Sequence, residues 1–543
     1  MRGRTAWPLA AFLTVTALVA GCSAGSGGSP EGEDGPPVAG GTLRFALPSE
    51  PSCLDPGVSP ADATALIDRG VVDSLVAQGS DNTFQPWLAS SWTVSPDLTR
   101  YTFTLREDVT FHDGTKLDAT AVKANFDRIV DPNTKSQWAA TLIGPYRGST
   151  VLDARTVEVA FTEPFQPFLA AASTTALGIQ SPKNFADNAG RLCDHVVGSG
   201  PFRFTGHIAQ QSVTLEKNPD YAWSPPTAAH TGPAHLDGVE FRFIPENSTR
   251  IGALTSEQID GLLSVPARDV ADLRDDPAID YTRYDAQGSV YALYINTQRG
   301  PWRDQRVRQA LQQSTDVDAI LSSIYFGNYA RAWSILTPST QFYDPAVENS
   351  WRTDLAAANR LLDEAGWQQR DAQGYRVKDG ARLTATWTTT KAQDESNYRG
   401  LVGQAIVASG KQAGIEIVRD NVQTGQLFQL VAAGDYDLFD TSWSSNSPDI
   451  IRSFLHSTAK PMAGQNISWV NDPRVDAWVT GAARTTDTEV QRRNYADAQK
   501  WAIDQAVVIP VFVPASQVAT GRRVHGIAAA PSSYPVFYDA WLS

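Results

Sequence analysis

Residues 71–129 read VVDSLVAQGSDNTFQPWLASSWTVSPDLTRYTFTLREDVTFHDGTKLDATAVKANFDRI, and two periodicities meet inside them. Tyr101, Phe103 and Leu105 alternate with Thr102 and Thr104, the period of two expected of a half-buried strand. Asp113-Gly114 is a turn signal. Asp118 then stands where it can cap a helix whose Val122, Phe126 and Ile129 share a face. A strand, a tight turn and a capped amphipathic helix in succession predict a chain that mixes α and β structure.

The same textures continue outward. GVEFRFIP (238–245) alternates Val239, Phe241 and Phe243 against Glu240 and Arg242. DLAAANRLLDEAG (354–366) predicts a helix that starts at Asp354, repeats Leu355, Ala358, Leu362 and Ala365, and stops at Gly366. TDVDAILSSIYFG (315–327) opens with Thr315 and Asp318 at capping-box spacing. Strands and helices mix throughout, with no short repeat after residue 40, so an α/β or α+β fold in several lobes is expected.

The N-terminus has another character. Arg2 and Arg4 precede the apolar run AWPLAAFLTVTALVA (6–20), and the small residues Ala20 and Gly21 precede Cys22. A positive start, a short apolar core and small residues at its end are the anatomy of a secretory signal peptide, here residues 1–21. No Arg-Arg pair is present, which favours the general export route. Residues 22–39 are rich in Gly, Ser, Pro and acids and read as a flexible tether, with a coil dimension of roughly 20–25 Å for ~16 residues.

Without residues 1–21, 522 of the 543 residues remain, more than one ordinary core holds. The formal charge of −14 becomes −16 once Arg2 and Arg4 leave with the leader. An acidic chain with 15 Trp, 16 Tyr and 21 Phe lacks the basic stripes that nucleic acids need and suits apolar or cationic small molecules. With Cys22 set aside, Cys53 and Cys193 remain as an even pair in an oxidising compartment. A disulfide between them is expected, two separate buried thiols being the alternative.

Catalytic motifs fail on context. GCSAG (21–25) straddles the cleavage site and the tether instead of a strand-to-helix elbow. STAK (457–460) lacks its companion motifs. GQAIVASGKQ (403–412) has its first glycine misplaced and Gln412 where a P-loop needs Ser or Thr. The seven histidines, His112, His195 and His456 among them, show no metal-binding spacing. The sequence therefore predicts no enzyme, no cofactor and no metal site. A secreted hydrolase and a structural surface protein are the alternatives from other classes.

The opening stretch also resembles, nearly end to end, a signature of the extracellular solute-binding protein family 5. That family serves ABC importers of peptides, nickel chelates, opines and related solutes. GGTLRFALPSEPSCLDP, VGSGPFRF, LEKNPDYAW, YINTQRGPWRDQRVRQAL, AANRLLDEAGW, DYDLFDTSW and QAVVIPVFVP follow in family order, covering essentially residues 40–543. VAGC (19–22) resembles a bacterial lipobox, which implies that Cys22 is lipidated and becomes the mature N-terminus. One acyl chain holds a protein marginally and two hold it stably, so the chain is expected outside the cytoplasm, anchored by lipid on the periplasmic side or outer face of the cell membrane.

The resemblance implies the α/β, two-lobed periplasmic-binding-protein fold (class II, cluster C type) with an additional domain on the first lobe. Carried across, lobe I takes 40–78, 164–283 and 510–543, the extra domain 79–163, and lobe II 284–509. A peptide or peptide-like solute would sit between the lobes and be engulfed on closure, with a metal chelate or another organic solute as the alternative. The partners implied are an ABC permease and its separate ATPase, and the receptor is expected to be a monomer.

DLFDTSWSSNSPDIIRSFLHS (437–457) carries the site. In the oligopeptide-binding members it resembles, an aspartate three residues after a tryptophan pairs with the peptide's α-ammonium. Here Trp443 is followed by Asn446. Where an arginine three residues before the tryptophan can hold a carboxylate, this chain has Asp440. Trp443, Asn446 and Asp440, with Ser444 and Ser445 between them, are the expected ligand residues. A neutral amide lacks charge-assisted strength, so weak binding of plain peptides is expected, and stronger binding of a blocked, cationic or metal-chelating relative.

Overall fold

A computed structural model describes residues 35–461 and 464–543, and residues 37–543 form one unit. Residues 1–34, with the expected leader, Cys22 and most of the tether, lie outside the described residues.

Two large sheets, each with its own hydrophobic core, make the two lobes. The first has seven strands in the order Ile279–Asp285, Ala515–Gly521, Gly261–Leu263, Thr42–Leu47, Gly238–Phe243, Ser212–Lys217 and Phe202–Ile208. Thr42–Leu47 runs parallel to both neighbours, with Phe45 opposite Phe241 on one side and Gly261 on the other. Leu43, Phe45 and Leu47 enter the main core of this lobe, while Ala46 faces a smaller cluster with Leu254, Ile259 and Leu262. Such a strand is covered on both faces, as parallel strands generally are. Val239, Phe241 and Phe243 are buried, and Arg242 reaches Glu240 at 2.7 Å on the opposite face.

The second lobe is built on five strands in the order Glu416–Asn421, Thr384–Thr389, Leu438–Thr441, Tyr291–Ile295 and Val508–Phe512. Every residue of Tyr291–Ile295 and Val508–Phe512 is buried. The chain crosses between the sheets at 286–290 and again at 513–514, and the crossings touch where Ala286 N donates to Pro514 O at 2.9 Å. Boundaries at 283/284 and 509/510, as read from the sequence, would cut the strands Ile279–Asp285 and Val508–Phe512.

A four-stranded antiparallel sheet of Ala89–Val94, Arg100–Leu105, Thr156–Phe161 and Tyr146–Val151 forms the addition. Tyr101, Phe103 and Leu105 bury their alternating face against Val122, Phe126 and Ile129 of helix Ala119–Val130, in a core continuous with that of the seven-stranded lobe. Asp118 caps the helix by accepting from Ala121 N at 2.8 Å. Gly114, at φ +82°, makes the turn before it. Asp113 accepts from Thr115 N and from the hydroxyls of Thr115 and Ser181, so FHDG is turn chemistry.

Two local expectations shift. The cap near 315 is Asp316, which accepts from Ala319 N, because the preceding helix ends at Ser314 and Thr315 turns its hydroxyl back to Leu311 O. Leu355 starts its helix on the exposed side, while Ala358, Leu362 and Ala365 are buried. Cys53 and Cys193 are joined in a disulfide, beside which Leu54 N donates to Cys193 O at 2.8 Å. This bond fixes the loop that leads into helix Asp62–Asp68.

Candidate functional site

A cavity of about 720 Å³ lies between the lobes. One wall is the segment Trp443–Asn446, and the crossing chain positions it. Ser289 N donates to Trp443 O at 2.9 Å, Trp443 N donates to Ser289 Oγ at 2.8 Å, and Ser445 N donates to Gln287 O at 3.0 Å. Gly288 sits at the centre of this pairing at φ +113°, and a Cβ there would lie 2.4 Å from Trp443 O and 2.5 Å from Ser445 N. Only glycine lets the two backbones approach so closely. The wall of the cavity is thereby fastened to a segment that links the lobes.

The opposite wall comes from the seven-stranded lobe and the added domain. Asp62 and Arg69 bracket its first helix, Gln78 and Trp87 follow, and Tyr534 arrives from the C-terminal segment. Trp138 packs on the cores of both lobes and lies 5.0 Å from Trp443, ring centre to ring centre, with 36° between the planes. Aromatic faces so placed present apolar area and a negative quadrupole to a ligand.

Of the residues expected from the sequence, Trp443, Ser444, Ser445 and Asn446 line the cavity and Asp440 does not. Asp440 is buried beneath it. Its Oδ2 accepts from Tyr291 OH at 2.8 Å and from Arg399 Nε at 2.8 Å, and its Oδ1 from Trp387 Nε1 at 2.8 Å. Burial alone would raise the carboxyl, but the Arg399 guanidinium and these donors hold it below the ordinary carboxylate value. The expected ligand contact is corrected: Asp440 and Arg399 neutralise one another within the lobe.

Asn446 has also found protein partners. Its Nδ2 lies 2.6 Å from Gln78 Oε1, 2.8 Å from Ser173 Oγ and 3.0 Å from Ala170 O, and its main-chain oxygen accepts from Gln78 Nε2 at 3.0 Å. These partners belong to the other side of the cleft, so Asn446 fastens the lobes together. Its Oδ1 is buried and has no protein partner. Ser445 turns its hydroxyl to Ser447 O in its own loop. The lobes meet again at the rim, where Arg484 pairs with Glu163 and Gln166 N donates to Ala483 O at 2.8 Å.

Sequence reasoning missed Asp62, Arg69, Gln78, Trp138 and Tyr534. Asp62, in PADATALID, looks like an ordinary acid in the first turn of a helix. In the fold it opens onto the cavity, where the Tyr534 hydroxyl donates to its Oδ1. Its side chain remains exposed to that cavity, while desolvation by the surrounding walls raises its carboxyl, partly offset by Tyr534. Arg69 donates to Ser74 Oγ and Ser173 O, both at 3.0 Å, and burial pulls it down to about 10. No group of three or more His, Cys, Asp or Glu among the described residues is arranged to hold a metal ion.

A two-lobed fold enclosing a cavity at its crossing segments is the architecture of a binding protein that closes on its ligand. The family described as bacterial extracellular solute-binding proteins, family 5 Middle, matches residues 83–462. The chain belongs to this family. Family 5 proteins are transport binding proteins that take up peptides or small molecules and work with ABC permeases. The probable D,D-dipeptide-binding periplasmic protein DdpA of Escherichia coli (strain K12) is 26% identical over 508 residues, covering 91% of this chain and 93% of its own. The glutathione-binding protein GsiB of Salmonella typhimurium is 24% identical over 519 residues, covering 93% and 96%. Among solved structures, the periplasmic binding protein DppA from Helicobacter pylori in complex with the peptide STSA matches at a TM-score of 0.79 and 25% identity, covering 93% of this chain and 98% of that one. As a family 5 protein, the chain is a solute-binding component of an ABC importer. None of its described helices is long and apolar enough to cross a membrane.

Proposed function

We propose that this family 5 chain captures one peptide-like solute in the cavity between its lobes and delivers it, without covalent change, to the permease. The observation that carries the reading is the Trp443–Asn446 wall, which is hydrogen-bonded both to a crossing segment and to the opposite lobe. A solute held there couples directly to closure. Relatives named for dipeptides and glutathione, and a neighbour solved with a bound peptide, support a peptide-like ligand. The acid-rich lining favours this over an anionic metal chelate.

The proposed lobes are 40–78 with 164–285 and 515–543, and 291–512, with the added domain at 79–163 and the crossings at 286–290 and 513–514. We further propose that the leader is removed, that Cys22 carries lipid, and that residues 22–39 tether a monomeric receptor beside its permease. Anchoring is tested with Cys22→Ala, which should release the protein from membranes or block its processing. A variant that stays bound and is processed normally contradicts it. Solute capture is tested by calorimetry with peptides and chelates: saturable one-to-one binding without conversion supports the reading, and turnover of the bound molecule contradicts it.

A further inference from the structure

Resting on the reading of this cavity as the solute site, we infer that it selects a ligand carrying a cationic group and that the carboxylate of Asp62 is the group's counter-charge. Four carboxylates line the cavity, against a single arginine, Arg69, among the described residues. Three of the four have partners. Asp285 is paired with Arg283 at 2.6 Å, and Asp539 accepts from His230 Nδ1 at 2.7 Å. Asp81 accepts from Thr83 N at 3.0 Å and Thr83 Oγ1 at 2.7 Å. Asp62 has Tyr534 on one oxygen, and no arginine, lysine or histidine among the described residues pairs with it.

Asp62 is solvent-exposed within the cavity, so its carboxylate is open to a ligand, with one neutral donor and, among the described residues, no cation beside it. A charge-assisted hydrogen bond is the strongest contact such a group can add. One further feature of the same cavity suits a cation. Trp138 and Trp443 bring ring faces that attract cations. Arg69, the one competing cation, is engaged by Ser74 and Ser173 and lies over Trp87 at 5.2 Å. The cavity thus offers an aromatic pair and a carboxylate without a cationic partner among the described residues. The α-ammonium of a peptide-like solute and the amine of a different solute share the chemistry required.

The test uses two matched pairs of probes on the exported chain: the tripeptide amide Ala-Phe-Ala-NH2 with its N-acetyl form, and phenethylamine with 2-phenylethanol. Dissociation constants are measured by calorimetry on wild type, Asp62→Asn, Asp62→Glu and the outer-surface control Asp272→Asn. The amine should bind roughly ten- to a hundredfold tighter than its neutral partner, as charge-assisted hydrogen bonds imply. Asp62→Asn should abolish that advantage, and Asp62→Glu and Asp272→Asn should keep it. If Asp62→Asn melts like an unfolded chain, wild type is titrated with acid. The amine should then lose affinity as Asp62 protonates while the neutral probe does not. Equal binding of amine and neutral partner, or an advantage that survives in folded Asp62→Asn, overturns the inference and leaves the peptide-like reading intact. Binding of phenethylamine but neither tripeptide upholds the inference and refutes a peptide-like solute. Binding of no probe to wild type overturns both.

Discussion

The side-chain amides of Gln78 and Asn446 bond to one another across the cleft, Nδ2 to Oε1 at 2.6 Å, though 368 residues separate them. The position expected from the sequence to meet the ligand is here a fastener between lobes.

Replacing Asn446 by Ala removes the cross-cleft donors and should cost the closed form about 1–3 kcal/mol, for two amide hydrogens at ~0.5–1.5 each. Solute affinity should fall roughly five- to a hundredfold, and small-angle scattering should show a larger radius. Asn446→Asp should open the protein as well. It sets a carboxylate oxygen against Ala170 O, an acceptor that cannot rotate away. Unchanged scattering and affinity in both variants would refute the fastening role.

Trp443→Ala should weaken solute binding without unfolding the second lobe, because the ring is half-buried and faces Trp138. The aromatic pair alone is worth about 0.5–1.5 kcal/mol beyond the area it covers. Calorimetry on Trp443→Ala, Trp138→Ala and the double variant should give a coupling of that size.

Asp440→Asn should destabilise the second lobe by about 3–5 kcal/mol, because it leaves the Arg399 charge buried without its partner. The folded carboxyl lies below its unfolded value, so its contribution is present above about pH 4 and is lost as the pH falls below that. Chemical denaturation at pH 7 and pH 3 should show a wild-type advantage over Asp440→Asn that shrinks in acid.

The Cys53–Cys193 bond closes a span of 140 residues, for which chain entropy sets a ceiling of about 5 kcal/mol. Reduction should lower the melting temperature and loosen the loop leading to Asp62, weakening binding of amine probes. Two free thiols in non-reduced, denatured, exported protein would contradict the bond.

Much of the fold was legible because its signals are local. The alternation at Tyr101, Phe103 and Leu105 and the cap at Asp118 need only neighbours in the chain. Trp443 lines the cavity, and the residues around it carry the resemblance. Asp440 was misread because Arg399, which neutralises it, lies 41 residues away on another element. The fastening role of Asn446 is not legible in the sequence, because Gln78, Ala170 and Ser173 reach it only through the tertiary fold. Asp62 was invisible for the opposite reason. An acid in a helix's first turn has an ordinary local role, and only the fold shows that it faces a cavity rather than bulk water.

The central claim, one solute held non-covalently against the Trp443–Asn446 wall, is tested most directly by mass spectrometry of small molecules released on denaturing gently purified protein. Wild type and Trp443→Ala are compared at equal loading. The account predicts a cation-bearing, peptide-like molecule released from wild type at close to one equivalent and depleted in the variant. Identical small-molecule profiles from the two proteins would contradict it.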